Sequence, residues 1–185
     1  MPTVHDVANY FLVLAARKSS GVTHMKLQKL CYYAQGFTLG MRGQRLFDAR
    51  FRAWEYGPVC YDLWRRFQYR RDVLSAPNDF DPDALDEDTR SLIEMVDARF
   101  SGYSAMQLSK LTHREQPWRD AFQRAREHGS DEIADESMQR FFAPRIDQLD
   151  VCEAPPPADH DRVRALLQAH PEWAAETEAS LQALG

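Results

Sequence analysis

The sequence predicts a mainly α domain carrying one short β element and followed by a C-terminal helical appendage. Three observations support this. Apolar residues recur at three- and four-residue steps through most of the chain, the spacing that lines up one face of a helix. Strand-like alternation takes over only around residues 50–56 and in a short run at 131–134. A Pro155-Pro156-Pro157 run separates a body (residues 1–150) from a Pro-rich linker and helical tail (151–185). At 185 residues with 44% hydrophobic content, the chain is long and apolar enough to bury a core.

Residues Thr3 to Ser19 read as the first helix, with Val4, Val7, Ala8, Phe11, Leu12, Leu14 and Ala15 as its buried stripe. Asp6 near its start and Arg17 and Lys18 near its end suit the helix dipole. Thr23 caps a second helix whose inner face is Leu27, Leu30, Cys31, Ala34, Phe37 and Thr38. Gly36 and Gly40 either weaken that helix or admit a close backbone, and Gly43 ends it. Arg50 to Tyr56 reads as a short strand broken by Gly57-Pro58, with Pro58 opening a helix that turns Val59, Leu63, Trp64 and Phe67 inward. Residues 75–83, with two prolines, form a loop. Asp86 to Asp88 open a helix to Phe100 with Leu92, Ile93 and Val96 inside. Ser104 and Gln107 form a capping box on the next helix. Pro117 starts another, with Trp118, Ala121, Phe122 and Ala125 inward, Thr112 as its cap and Glu115 completing a capping box. His128-Gly129 ends it. Asp131 to Ala134 adds a strand beside residues 50–56. Asp135 caps a helix carrying Met138, Phe141 and Phe142, which Pro144 ends or kinks. In the tail, Val163, Leu166 and Leu167 form one small apolar stripe and Trp173, Ala174, Leu181 and Leu184 another.

The net charge of −5 hides an asymmetry: residues 1–71 carry +8 and residues 72–185 carry −13. The expectation is that the two halves pack together and neutralise each other. No run of apolar residues is long enough to span a bilayer, and no secretory leader is recognisable at the start. Cys31, Cys60 and Cys152 are odd in number and widely spaced, which fits a reducing cytoplasm better than a disulfide framework.

Catalytic patterns are scarce. No Gly-rich phosphate loop or Cys-x-x-Cys spacing is present, and His113 and Glu115 are too closely spaced in sequence to share a helix face as metal ligands. Cys31 lies on an apolar face, as a buried hydrophobe rather than a nucleophile. No cofactor, no metal and no enzymatic activity are expected. The basic N-terminal half interleaves Lys and Arg with aromatics, a pattern compatible with nucleic acid. No recognition-helix pattern accompanies it, so a protein partner is favoured. Trp54, Tyr56, Tyr32, Tyr33 and Trp118 are hot-spot residue types, with about half of them expected in the core.

Three blocks carry a family resemblance. They are Met25-Lys26-Leu27-Gln28-Lys29-Leu30-Cys31-Tyr32-Tyr33-Ala34-Gln35-Gly36, Ala53-Trp54-Glu55-Tyr56-Gly57-Pro58-Val59, and Leu108-Ser109-Lys110-Leu111-Thr112-His113 with Gln116-Pro117-Trp118 and Ala121. In this order, over roughly residues 3–145, the chain resembles the Panacea-domain antitoxins of bacteria and phages. The resemblance implies direct binding of a cognate toxin encoded alongside. In one member of the family it also implies an adaptor role, delivering the toxin to the ClpXP protease. The candidate partner-binding residues are Tyr32, Tyr33, Gln35, Arg52, Trp54, Tyr56, Thr112, His113 and Trp118.

Overall fold

One helix runs through the middle of the molecule and the other elements are laid around it. The computed structural model describes residues 1–70 and 73–149, so the Pro-rich linker, the two tail stripes and Cys152 lie outside the described residues. The first helix, α1 (Val4–Arg17), opens on a capping box. Thr3 Oγ1 accepts the Asp6 N–H at 3.2 Å, and the Asp6 carboxylate accepts the Thr3 N–H at 2.8 Å. The central helix α2 (His24–Arg42) starts at the Thr23 cap and ends at Gly43, which is left-handed with φ 65°. Every residue from Leu27 to Leu39 is buried, so α2 has no solvent face over that length. The expected six-residue stripe is only part of what it buries.

The reason is the number of neighbours. Against α2 pack α1, α3 (Tyr61–Phe67), α4 (Glu87–Phe100), α5 (Ala105–Thr112), α7 (Asp135–Phe142) and the 3-10 turn Ala143–Leu149 that follows α7. The remaining helix, α6 (Gln116–His128), lies instead on a small sheet of β1 (Phe51–Trp54), β2 (Gly57–Cys60) and β3 (Glu132–Ile133). Strand order is β2-β1-β3, all antiparallel, with Phe51 opposite both Cys60 and Ile133. The strand expected at 131–134 is therefore present and supplies β1 with its second partner.

Four local expectations are corrected. Gly57-Pro58 does not open a helix: both residues belong to β2, which pairs through Pro58 opposite Ala53, and α3 starts at Tyr61. Proline is tolerated because β2 is an edge strand. Trp64 is half-exposed rather than an inward residue, unlike Leu63 and Phe67. Thr112 is the last residue of α5, and α6 is preceded by Glu115, whose side chain caps nothing because it points into the core. Asp135 is the first residue of α7, with Ala134 before it. Pro144 ends α7 by converting it to the 3-10 turn.

The charge asymmetry resolves as expected. Lys18 pairs with Asp97, Arg42 with Asp88 (3.3 Å), Arg45 with Asp135 (2.5 Å), Arg50 with Glu132 (2.7 Å) and Arg52 with Asp131 (3.0 Å). Each joins the basic half to the acidic half.

Candidate partner-binding site

The polar residues of the first block do internal work. Gln28 reads the backbone of Cys60, accepting its N–H at 2.8 Å and donating to its carbonyl at 3.2 Å. Two turns further along the same face, Gln35 accepts from the Leu46 and Phe47 N–H groups at 2.9 and 3.3 Å and donates to the Phe47 carbonyl at 3.2 Å. Lys29, 1% exposed, donates to the Pro58 carbonyl at 3.2 Å. These groups, on the outer side of edge strand β2 and in the 46–47 loop, are buried against α2, where an unpaired N–H or C=O is strongly unfavourable. The three side chains supply the partners that no ladder provides.

The second and third blocks meet at Gly57. Its φ of +99° is a conformation that side chains resist. A Cβ there would also lie 2.7 Å from Thr112 Oγ1 and 2.8 Å from Lys29 Cε. Thr112 is fully buried and donates to the Ser109 carbonyl at 2.9 Å. Ser109 in turn donates to the Tyr56 carbonyl at 2.9 Å, fastening α5 to the hairpin turn.

Below this lies a buried carboxyl. Glu115 Oε1 accepts the Tyr33 hydroxyl at 2.9 Å, and the Tyr33 ring stacks on Phe100 at 4.0 Å. Burial pushes the Glu115 pKa up to about 7, against the pull of the Tyr33 and Tyr32 hydroxyls and of Arg145. The Tyr32 hydroxyl also faces this carboxyl, though its contact with Glu115 Oε2 falls short of good hydrogen-bond geometry. Protonation gives Oε2 a hydrogen to donate, which suits that raised pKa.

At the surface, Trp118 donates its indole N–H to the Trp54 carbonyl at 3.1 Å. Its ring lies between His113 (4.1 Å) and Phe122 (4.5 Å) in a stacked column. Burial, with Lys29 adding to it, lowers the His113 pKa, so this ring is neutral at pH 7. The column borders an open cavity of about 700 Å³ on α6, edged by Arg119, Asp120 and Arg126. Among the described residues, no cluster of three or more His, Cys, Asp and Glu is placed to hold a metal ion. Burial, together with Cys60, raises the Cys31 thiol well above its ordinary pKa, the opposite of what a nucleophile needs.

The model of the family described as "Antitoxin SocA-like, Panacea domain" matches residues 27–119. The chain belongs to that family. It is 32% identical over 118 residues to Antitoxin SocA of Caulobacter vibrioides (strain NA1000 / CB15N), an alignment covering 58% of this chain and 63% of that relative. The chain thus spans just under two thirds of the relative's length. No solved structure matches it. Among the described residues, no helix is long and apolar enough to cross a membrane.

The nine candidate residues of this Panacea-domain chain divide sharply. Tyr32, Tyr33, Gln35 and Thr112 are buried in the interior, and Trp118 is largely buried but lines the open cavity on α6. Their roles are the hydrogen bonds and ring contacts just described. Arg52, Trp54, Tyr56 and His113 reach the surface, Arg52 fully and the others in part. Outside these nine, Tyr61 and Arg65 of α3 are exposed and Trp64 is partly exposed. The sequence carries a signal for this: once Leu63 and Phe67 are assigned inward, positions 61, 64 and 65 share the opposite side of the helix.

Proposed function

We propose that this chain is an antitoxin that neutralises the toxin encoded beside it by direct protein binding. Membership in a family described as antitoxin SocA-like carries the reading. Neutralisation by binding requires an interface of about 1,200–2,000 Å² in total and no catalytic group, so the chain acts as a non-enzymatic binder in the cytoplasm. The partly exposed Trp54 and Tyr56 and the exposed Arg52 support it, being residue types that anchor such interfaces.

A finer role rests on the same kinship: the chain hands its bound toxin to the ClpXP protease, lowering toxin abundance as well as blocking its action. The test is co-expression with the product of the adjacent gene. A complex that survives purification, together with rescue of growth, supports the antitoxin reading; toxicity unchanged by the chain overturns it. The adaptor role predicts a toxin half-life that shortens when the chain is present and lengthens again when ClpX is removed. An unchanged half-life sinks that role alone.

A further inference from the structure

Resting on the antitoxin reading, we propose that one surface docks the toxin: the face built from Tyr61, Trp64 and Arg65 of α3 with Trp54 of β1. The toxin would present to it an apolar centre with an acidic rim. The face follows from how α3 is packed. Leu63 and Phe67 are buried, which leaves Tyr61, Trp64 and Arg65 on the outer side. Tyr61 is 46% exposed, an unusual position for a large ring on a seven-residue helix. Its ring stacks on Trp64 at 5.5 Å and 22°, and Trp64 meets Trp54 edge-on at 5.5 Å and 70°. The Trp54 backbone is held in turn by the Trp118 indole. Three rings thus brace one another into a preorganised apolar patch, and little side-chain freedom remains to be lost on docking.

Among the described residues, the charge around the patch is mainly positive. Lys18, Arg42, Arg45, Arg50 and Arg52 of the basic half each pair with a carboxylate of the acidic half. Arg65 and Arg70 are exposed and have no ion pair among the described residues, and Arg66 lies over the Phe67 ring at 4.9 Å. Asp62 is the single carboxylate on α3. A partner that supplies acidic groups would give these arginines what five other cations of the basic half find within the fold. Tyr, Trp and Arg together are also the composition of interface hot spots.

A single-stranded nucleic acid fits the same ingredients less well. A stacking platform offers successive rings with free faces, whereas here Trp64 already has Tyr61 stacked on it and Trp54 at its edge. The net charge of −5 also repels a polyanion at long range.

The experiment uses the full chain and the adjacent-gene toxin, with Tyr61→Ala and Arg65→Glu as test variants and Arg140→Glu, at an exposed position on α7, as a control surface. Binding by titration calorimetry and rescue of growth are read together with the melting temperature. The expected result is toxin binding weakened at least about tenfold by each test variant, with melting unchanged and the control at wild-type affinity. The wild-type association rate should also fall with salt more steeply than that of Arg65→Glu. Should Tyr61→Ala prove unstable, Arg65→Glu, a change at an exposed side chain, decides alone. Wild-type affinity in the folded variants overturns the surface while leaving the antitoxin reading intact. A wild-type chain that neither binds nor protects overturns both. Binding of a labelled single-stranded oligonucleotide that is lost in the test variants, with toxin binding retained, assigns the face to nucleic acid and also overturns the proposal.

Discussion

Replacing Gly36 or Gly40 with alanine should destabilise the protein, although alanine is the better helix former. In an open helix the change favours folding by about 1 kcal/mol, since glycine loses more backbone freedom and has the lower propensity. Here α7 crosses α2 where the side chains are missing. A Cβ at Gly36 would lie 2.3 Å from Phe142 Cε2 and 2.5 Å from Cδ2, against a comfortable carbon–carbon separation of roughly 3.5–4.0 Å. The Phe142 ring cannot retreat, because it is buried among Phe37 (4.9 Å), Phe141 (5.1 Å) and Tyr32 (5.7 Å). At Gly40 the obstruction is backbone: Ala143 N at 2.8 Å and Phe142 C at 2.9 Å. Overpacking of this kind costs about 1–3 kcal/mol. The overlap is severe enough that strain should outweigh the propensity gain at both sites. For a chain of this size each kcal/mol lowers the melting temperature by about 2–4 °C. Urea and thermal unfolding followed by circular dichroism measure it. Combining Gly36→Ala with Phe142→Leu adds a sharper test: the smaller side chain makes room, so the pair should be more stable than the sum of the singles predicts. A Gly36→Ala protein more stable than wild type by about 1 kcal/mol, or a double mutant with no coupling, would refute the close-approach account.

Two further substitutions probe the polar interior. Glu115 has a folded pKa of about 7, above its unfolded value, so its stabilising contribution is complete below about pH 4.5 and is lost as pH rises to about 7. The shift corresponds to about 3 kcal/mol. Glu115→Gln removes that slope, so stability measured by urea unfolding from pH 5 to pH 8 should decline less in the variant than in wild type; parallel profiles would place the carboxyl's titration elsewhere. Gln35→Leu keeps side-chain bulk but strands the backbone groups of Leu46 and Phe47 in the interior. It should lower stability by about 2–4 kcal/mol, seen as a lower urea midpoint; an unchanged midpoint would mean that water replaces the amide.

Where structure follows from neighbours in sequence, the chain is readable. The Thr3–Asp6 and Ser104–Gln107 capping boxes, the Thr23 and Asp86 caps and the stop at Gly43 are each set by residues within four positions. The β3 strand was legible because the strand at 50–56 needed a partner. Where structure depends on distant residues, reading fails in a consistent way. Pro58 suits the start of a helix and an edge strand equally, and only pairing with Ala53 distinguishes them. Glu115 stands at capping-box spacing from Thr112, yet its carboxyl meets Tyr33, 82 positions earlier. Gln28, Lys29 and Gln35 look like the wet side of α2 and are buried, because they serve backbone 32, 29 and 12 positions away. Polar residues on a helix announce hydrogen bonding, and sequence alone does not say whether the partner is water.

This bears directly on what the family signature means. Seven residues of the three blocks, Gln28, Lys29, Tyr32, Tyr33, Gln35, Gly57 and Thr112, are buried where α2, the hairpin and the α5–α6 segment meet. They identify a scaffold and leave the choice of partner to the exterior, where Tyr61, Trp64 and Arg65 fall between the signature blocks. The two classes of residue should therefore fail differently. Gln35→Leu should reduce protection from the toxin in proportion to the folded protein lost, so that binding per folded molecule stays at the wild-type level. Arg65→Glu should leave the amount of folded protein unchanged and reduce binding per molecule. Measuring soluble protein and toxin affinity side by side separates these outcomes. A Gln35→Leu protein that folds normally yet binds weakly would return the signature to the interface and undo this division.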